Sequence, residues 1–100
     1  MSVAQEIAKQ IGGKALFMIG AKNLTDHGRG LTFKVGRGAR GEKGAVTHVR
    51  ITYTESTDLY DFETLFIRSG KAHPRSYHSD VYADMIHDLI EKETGMYVSL

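Results

Sequence analysis

Residues 46–67 read VTHVRITYTESTDLYDFETLFI and set the architecture of the chain. In residues 49–53 apolar and polar side chains alternate, which is the period of a strand with one buried face. The alternation returns from residue 60, where Tyr60, Phe62, Thr64 and Phe66 share one face, although the other face turns apolar at residues 65 and 67. The polar turn at 55–58 is too short for a crossover connection, so the two strands pair antiparallel. The sequence therefore predicts a hairpin whose first strand begins near Val46.

Two further strands are predicted before this hairpin. Leu31, Phe33 and Val35 alternate with polar residues, which indicates a strand with one wet face. The run Ala15–Ile19 is apolar throughout, too short for a helix of its own and bounded by glycines, so we interpret it as a buried strand. The polar stretch Asn23–Gly30 between them is predicted to be a turn. We expect all four strands to pair in sequence as a meander.

A helix is predicted at each end of the chain. Ser2 and Gln5 have the spacing of a capping box, and the apolar residues that follow recur at helical spacing. Towards the other end, residues 69–78 are polar and contain the only proline, which predicts a loop. Ser79 then caps a second helix, which ends at Gly95.

The fold class expected from these elements is α+β. A four-stranded antiparallel meander carries two helices on one face, in the order αββββα. The apolar tail at 96–100 is expected to pack on the body or to add a short C-terminal strand. A chain of 100 residues can bury one core but not two, so residues 1–100 are predicted to form a single domain.

The composition is that of a globular protein, with 41% hydrophobic and 25% charged residues. No apolar run approaches the roughly 18 residues that span a bilayer, and the first residues lack the cationic and apolar segments of a secretion signal. A cytoplasmic location without membrane contact is therefore expected. The absence of cysteine excludes disulfides and thiolate chemistry.

Charge is distributed unevenly along the chain. Residues 22–50 contain seven cations and two anions, whereas residues 51–100 contain four cations and nine anions. Within the basic half, residues 36–44 include four glycines and three cations, a composition expected of a flexible basic loop. The candidate binding residues are the cations of this loop and of the strands beside it, namely Lys34, Arg37, Arg40, Lys43 and Arg50.

Catalytic and metal-binding patterns are absent from the sequence. The five histidines show no His-x-x-x-His spacing, and neither a Gly-x-Ser-x-Gly elbow nor a Walker loop occurs. Gly36, Gly38 and Gly41 match the spacing of a dinucleotide fingerprint. A strand follows them, however, instead of the helix whose N-terminus would hold the pyrophosphate. We therefore expect a protein that is not an enzyme and that holds no metal or cofactor.

Nucleic-acid binding is one interpretation of the basic segment. The candidate cations could contact several phosphates, and residues 71–77 would extend the patch. The order of elements is similar to that of the double-stranded RNA-binding fold, yet Asp80 and Asp84 stand where that fold carries lysines. The aromatic residues of the strands could stack on bases, but their alternation favours a place in the hydrophobic core. The acidic stripe of Asp80, Asp84 and Asp88 would instead suit a cationic partner, although such a stripe is usually a solvated helix face.

Short motifs near both ends of the chain resemble segments of other small proteins. They are Gly12-Gly13, Gly20-Ala21-Lys22 and Tyr82-Ala83-Asp84. Through them the chain resembles, over almost its whole length, a group of small uncharacterised proteins of bacteriophages, prophages and other mobile elements. The resemblance implies a bacterial or phage origin and a small accessory role, and it brings no assigned activity. The basic loop is where this chain is expected to depart from such relatives.

Three hypotheses follow for the function. In the first, a non-enzymatic accessory protein binds a host macromolecule through these cations, for example to inhibit a host nucleic-acid machine or defence complex. In the second, the same cations bind DNA or RNA directly. In the third, the protein associates with itself, as a homodimer or larger structure, and uses the fourth strand or the C-terminal tail as an exposed edge.

Overall fold

The computed structural model describes residues 2–96 of the chain. In chain order its elements are α1 (Val3–Ile11), α2 (Gly13–Met18), β1 (Lys22–Asp26), β2 (Gly30–Lys34), β3 (Arg40–Gly41), β4 (Gly44–Ala45), β5 (His48–Thr54), β6 (Leu59–Arg68), β7 (Lys71–Val81), a 3₁₀ helix (Ala83–Met85) and α3 (Ile86–Thr94). Residues 97–100, most of the tail that was expected to pack on the body or to add a strand, lie outside the described residues.

Five strands form one antiparallel sheet in the order β1-β2-β5-β6-β7, and β3 pairs with β4 in a small second sheet. The α+β class is confirmed, but the main sheet has five strands instead of four and the elements do not follow the order αββββα. The predicted central hairpin is present, with Ile51 opposite Phe62 across β5 and β6. On the other side of β5, β2 places Phe33 opposite Val49. The strands with clear alternation therefore pair as predicted.

The first helix has the predicted cap, and it closes one side of the core. Gln5 N donates to Ser2 Oγ at 3.1 Å, and Ser2 N donates to Gln5 Oε1 at 3.0 Å. Side chains of α1 and α3 pack with the inner face of the sheet in one hydrophobic core. Its largest fully buried members include Phe33, Phe62, Ile7, Ile11, Ile19, Ile51, Ile86 and Ile90. Among residues 2–96, no helix has both the length and the apolar character needed to cross a bilayer.

The apolar run Ala15–Ile19 is helical, so its interpretation as a strand is wrong. Residues 15–18 lie in α2 and Ile19 caps its C-terminus. Ala15 and Ile19 are buried, whereas Phe17 is 85% exposed. A strand would place all three side chains on one face, whereas helical spacing joins positions four apart and turns the middle one away. Periodicity does not distinguish a short apolar run in a helix from one in a buried strand, so the sequence pattern could not identify α2.

Strand β1 lies where the sequence predicted a turn. All five of its residues are exposed, so no alternation of buried and polar side chains marks it. It pairs antiparallel with β2, and the register shifts between Lys22 and Thr25, where Asn23 has a φ of 54°. The pairing depends on backbone hydrogen bonds, which side-chain patterns do not reveal. The connection to β2 is confined to residues 27–29.

Strand β7 replaces the loop predicted at residues 69–78. It lies at the edge of the sheet, where a proline is tolerated because one side of the strand needs no partner. Pro74 stands opposite Leu65, beside one of two irregularities in the register with β6. The only turn left is Ser69-Gly70, whose φ values of 53° and 77° suit a tight antiparallel hairpin.

The position of β7 removes one basis for self-association. The predicted fourth strand corresponds to β6, which pairs with β5 on one side and with β7 on the other. Its hydrogen-bonding groups are therefore occupied, and it is not an exposed edge. The other edge that the third hypothesis named, the C-terminal tail, lies mostly outside the described residues. The edges of the sheet are β1 and β7.

The second helix begins later than predicted. Ser79 belongs to β7, and the chain passes through the 3₁₀ helix at Ala83–Met85 before α3 begins at Ile86. Gly95 ends α3 as predicted, in the left-handed conformation with a φ of 68°. Val81 is 1% exposed although it belongs to the edge strand β7. Its buried side chain continues the apolar spacing of α3 towards the N-terminus, so the sequence from residue 79 onwards resembled one long amphipathic helix.

The predicted acidic stripe is not formed. Asp80 lies in β7 with a φ of 55°, Asp84 lies in the 3₁₀ helix and Asp88 lies in α3. The three carboxylates therefore do not share one helix face, and the four-residue spacing has no structural meaning across these elements.

Candidate functional site

The basic segment between β2 and β5 folds into a hairpin. Its base is closed by Val35 N, which donates to Thr47 O at 2.8 Å. Further along, Val46 N donates to Ala39 O at 2.9 Å, and β3 and β4 continue the pairing. Ala39 and Val46 are 2% and 3% exposed. The expectation of a flexible loop is corrected, because backbone pairing and two buried side chains hold the segment in place.

Two glycines allow the hairpin to dock on the end of α3. A Cβ atom at Gly41 would lie 2.6 Å from Glu93 O, and one at Gly95 would lie 3.1 Å from Arg40 O. Contacts this close exclude a side chain at Gly41 unless the backbone shifts. The glycines of the basic segment therefore serve close packing as well as turning of the chain.

The hairpin and the sheet enclose a depression of about 360 Å³. We call it the cationic depression, because Lys34, Arg37 and Arg40 line it and none of its lining residues is acidic. The three cations are exposed, whereas Val35 in its wall is buried. Three like charges around one concave surface produce a local positive potential, which attracts anions.

An aromatic side chain forms part of the wall. Phe66, near the end of β6, lines the cationic depression. The guanidinium carbon of Arg75 lies 5.1 Å from the centroid of the Phe66 ring, a cation–π distance. Arg75 is held there because its Nε donates to Ala45 O at 2.9 Å. The sequence analysis assigned Phe66 to the core, and only the fold shows that it belongs to this surface.

The other two candidate cations lie apart from the depression. Lys43 lies at the turn of the hairpin and lines a second depression of about 210 Å³. Arg50 is exposed on β5, where its neighbours across the sheet are Thr32 and Glu63. The structure thus brings together three of the five predicted residues, and it places Arg50 opposite a carboxylate.

The second depression carries mixed charges. Lys43, Arg75 and Lys92 line it together with the carboxylates of Glu42 and Glu93. The Glu93 side chain is only 10% exposed, and its Oε2 lies 3.5 Å from Nε2 of His78, an ion-pair distance without hydrogen-bond geometry. Opposite charges compensate one another here, unlike in the cationic depression. Within residues 2–96, no group of three or more histidines and carboxylates is placed to bind a metal ion.

His48 lies next to Lys34, one of the cations that line the cationic depression. It is the cross-strand neighbour of Lys34, and its Nδ1 lies 2.7 Å from Thr47 Oγ1. Burial of the ring and, to a lesser extent, the charge of Lys34 lower the pKa of His48 from its ordinary value of 6.5. Between the lowered pKa and 6.5 the unfolded chain binds more protons, so His48 makes the protein less stable as the pH falls through this range.

We expect Lys34→Gln to raise the pKa of His48, because the variant removes the neighbouring positive charge that opposes protonation. An NMR titration of the His48 ring protons measures the change directly. The matched control is Lys9→Gln, which removes a charge from the exposed side of α1 and should leave the titration unchanged. An unaltered His48 titration in Lys34→Gln would contradict the assigned cause. An anion held beside Lys34 should also raise the pKa.

Comparison of the chain with family models, with curated proteins and with solved structures finds no match.

Proposed function

We propose that this protein is a non-enzymatic binding protein that holds the phosphate backbone of nucleic acid in the cationic depression. The observation that carries the proposal is that Lys34, Arg37 and Arg40 all contribute to the lining of one depression, whose lining includes no carboxylate. Phosphate contacts by lysine and arginine release counterions and supply most of the affinity in non-specific nucleic-acid binding.

The backbone of the hairpin supports this assignment. The two arginines belong to a hairpin whose backbone is already paired and packed in the folded protein. Binding of a ligand therefore does not have to order this backbone, which reduces the entropy lost on binding. Gly36 and Gly38 also line the depression, and the absence of side chains there gives a ligand close access to the main chain.

An accessory role in the bacterial cytoplasm, as a resemblance to proteins of bacteriophages and mobile elements would imply, is part of the proposal. A host protein–nucleic acid complex would offer the same phosphates as free DNA or RNA. The proposal therefore covers the first two sequence-based hypotheses through one shared chemistry, the phosphate diester. Nuclease treatment tests this chemistry, since binding through phosphate is then lost in both cases. Recovery of a host protein that persists after nuclease treatment would contradict the proposal and identify that protein as the partner.

The triple variant Lys34→Gln, Arg37→Gln, Arg40→Gln is expected to lose most of the affinity for a fluorescent oligonucleotide. Each phosphate contact contributes a slope of roughly 0.7 to 0.9 in a plot of log K against log salt concentration. Removing three contacts should reduce the slope by about 2 to 3. Fluorescence anisotropy at several salt concentrations measures both the affinity and the slope.

The matched control removes three cations elsewhere, in the variant Lys9→Gln, Lys14→Gln, Arg29→Gln. These residues are exposed and do not line the cationic depression. Its salt slope should remain close to that of the unmodified protein. If both triple variants lose affinity equally, only net charge matters and the proposed site is wrong. If the unmodified protein binds no oligonucleotide at low salt, the proposed function is wrong.

A further inference from the structure

We propose that the bound nucleic acid is single-stranded and that one of its bases stacks on Phe66 within the cationic depression. This inference rests on the proposed function and specifies its ligand. Single-strand binding proteins combine a cationic groove for the backbone with aromatic side chains for the bases. The cationic depression has both features, because its lining includes Phe66 together with Arg37 and Arg40 of the hairpin.

The exposure of Phe66 separates it from the other phenylalanines of the sheet. Phe33 and Phe62 are 0% exposed and fill the core. Phe66 follows on the same face of β6 but is only partly buried, and it lines the depression. A partly exposed apolar ring beside cations offers a stacking surface that the core does not use.

The Phe66 ring is held in position before a ligand arrives. Arg75 lies over it at 5.1 Å and is itself tied to Ala45 O, and the His73 ring lies 6.0 Å from it, tilted by 39°. A ring fixed by two neighbours loses little conformational freedom when a base packs against it. Arg75 also keeps a positive charge close to the stacked base and its phosphates.

The dimensions of the depression favour one unpaired nucleotide. Its volume of about 360 Å³ lies at the lower end of the range for small-ligand sites. In a duplex the base faces are stacked on one another, and only phosphates, sugars and base edges reach the protein. A single strand can turn a base towards Phe66 while the cations hold the phosphates on either side.

The test compares three probes of equal length: oligo-dT, an abasic oligomer with the same number of phosphates, and a duplex. We expect the unmodified protein to bind oligo-dT about tenfold more tightly than the abasic oligomer. The variant Phe66→Leu should lose this preference and keep its affinity for the abasic oligomer. Phe66→Tyr retains an aromatic ring and should retain the preference. Thermal melting of each variant confirms that it is folded.

Oligo-rU and its abasic counterpart, in the same assay, separate RNA from DNA as the source of the strand. A preference for bases on either backbone supports the proposal. Equal affinity of the unmodified protein for base-containing and abasic strands, or tighter binding of the duplex, would overturn the stacking proposal. Salt-dependent binding of the abasic oligomer would then still support the proposed function. Absence of binding to every probe would overturn both.

Discussion

Gly30→Ala is expected to lower the free energy of unfolding by about 3 kcal/mol or more. A Cβ atom at Gly30 would lie 1.9 Å from Ile51 O and 2.8 Å from Thr52 Cα. Both contacts are with backbone, so no side-chain rotation relieves them. Gly30 pairs with Thr52 in the ladder between β2 and β5, and that ladder would have to open. Because β2 leads directly into the basic hairpin, we expect the variant to lose the cationic depression as well.

Gly13→Ala is the matched control for this substitution. Nothing lies within 4 Å of a Cβ atom placed at Gly13, which is the first residue of α2. Alanine is favoured over glycine in a helix by roughly 0.5 to 1 kcal/mol, so this variant should be as stable as the unmodified protein or slightly more stable. Urea denaturation measures both variants. A Gly30→Ala protein with unchanged stability would show that β2 and β5 do not pair as described.

Phe62→Ala is expected to cost about 3 to 5 kcal/mol, because it leaves a cavity where a large side chain was fully buried. Phe62 is 0% exposed at the centre of β6, opposite Ile51. The same substitution at Phe17, which is 85% exposed on α2, should change the stability by no more than about 0.5 kcal/mol. The pair therefore compares identical chemistry at a buried and an exposed site.

Chemical denaturation of the two phenylalanine variants also tests the helical assignment of α2. If residues 15–19 formed a buried strand, as the sequence suggested, Phe17→Ala would cost several kcal/mol, of the order expected for Phe62→Ala. A neutral Phe17→Ala agrees only with the helix, in which Phe17 points away from Ala15 and Ile19.

The sequence predicted those elements whose side chains carry a periodic pattern. Strands β2, β5 and β6 alternate because one face packs on helices, and α1 has both a capping box and an apolar stripe. The edge strands β1 and β7 were missed. Most of their residues are exposed, so their pairing depends on backbone hydrogen bonds that leave little trace in residue type.

The candidate site was predicted in part for a related reason. Sequence identified the cations, since lysine and arginine are recognised by type alone. It did not show that Lys34, Arg37 and Arg40 surround one depression while Arg50 faces Glu63, because that grouping depends on the hairpin and the register. The sequence did not show that Phe66 lines the depression. Phe66 follows the buried residues 60, 62 and 64 at the same two-residue spacing, although the core ends before it.

Both margins of the sheet are interrupted in ways that limit its growth. In β7, Pro74 lacks an N–H group and the register with β6 shifts twice. In β1, the register with β2 shifts near Asn23, which breaks the regular spacing of the outer hydrogen-bonding groups. A second chain that approached either margin would meet a gap in the row of donors and acceptors. Extension of the sheet by a second chain is therefore disfavoured at both edges.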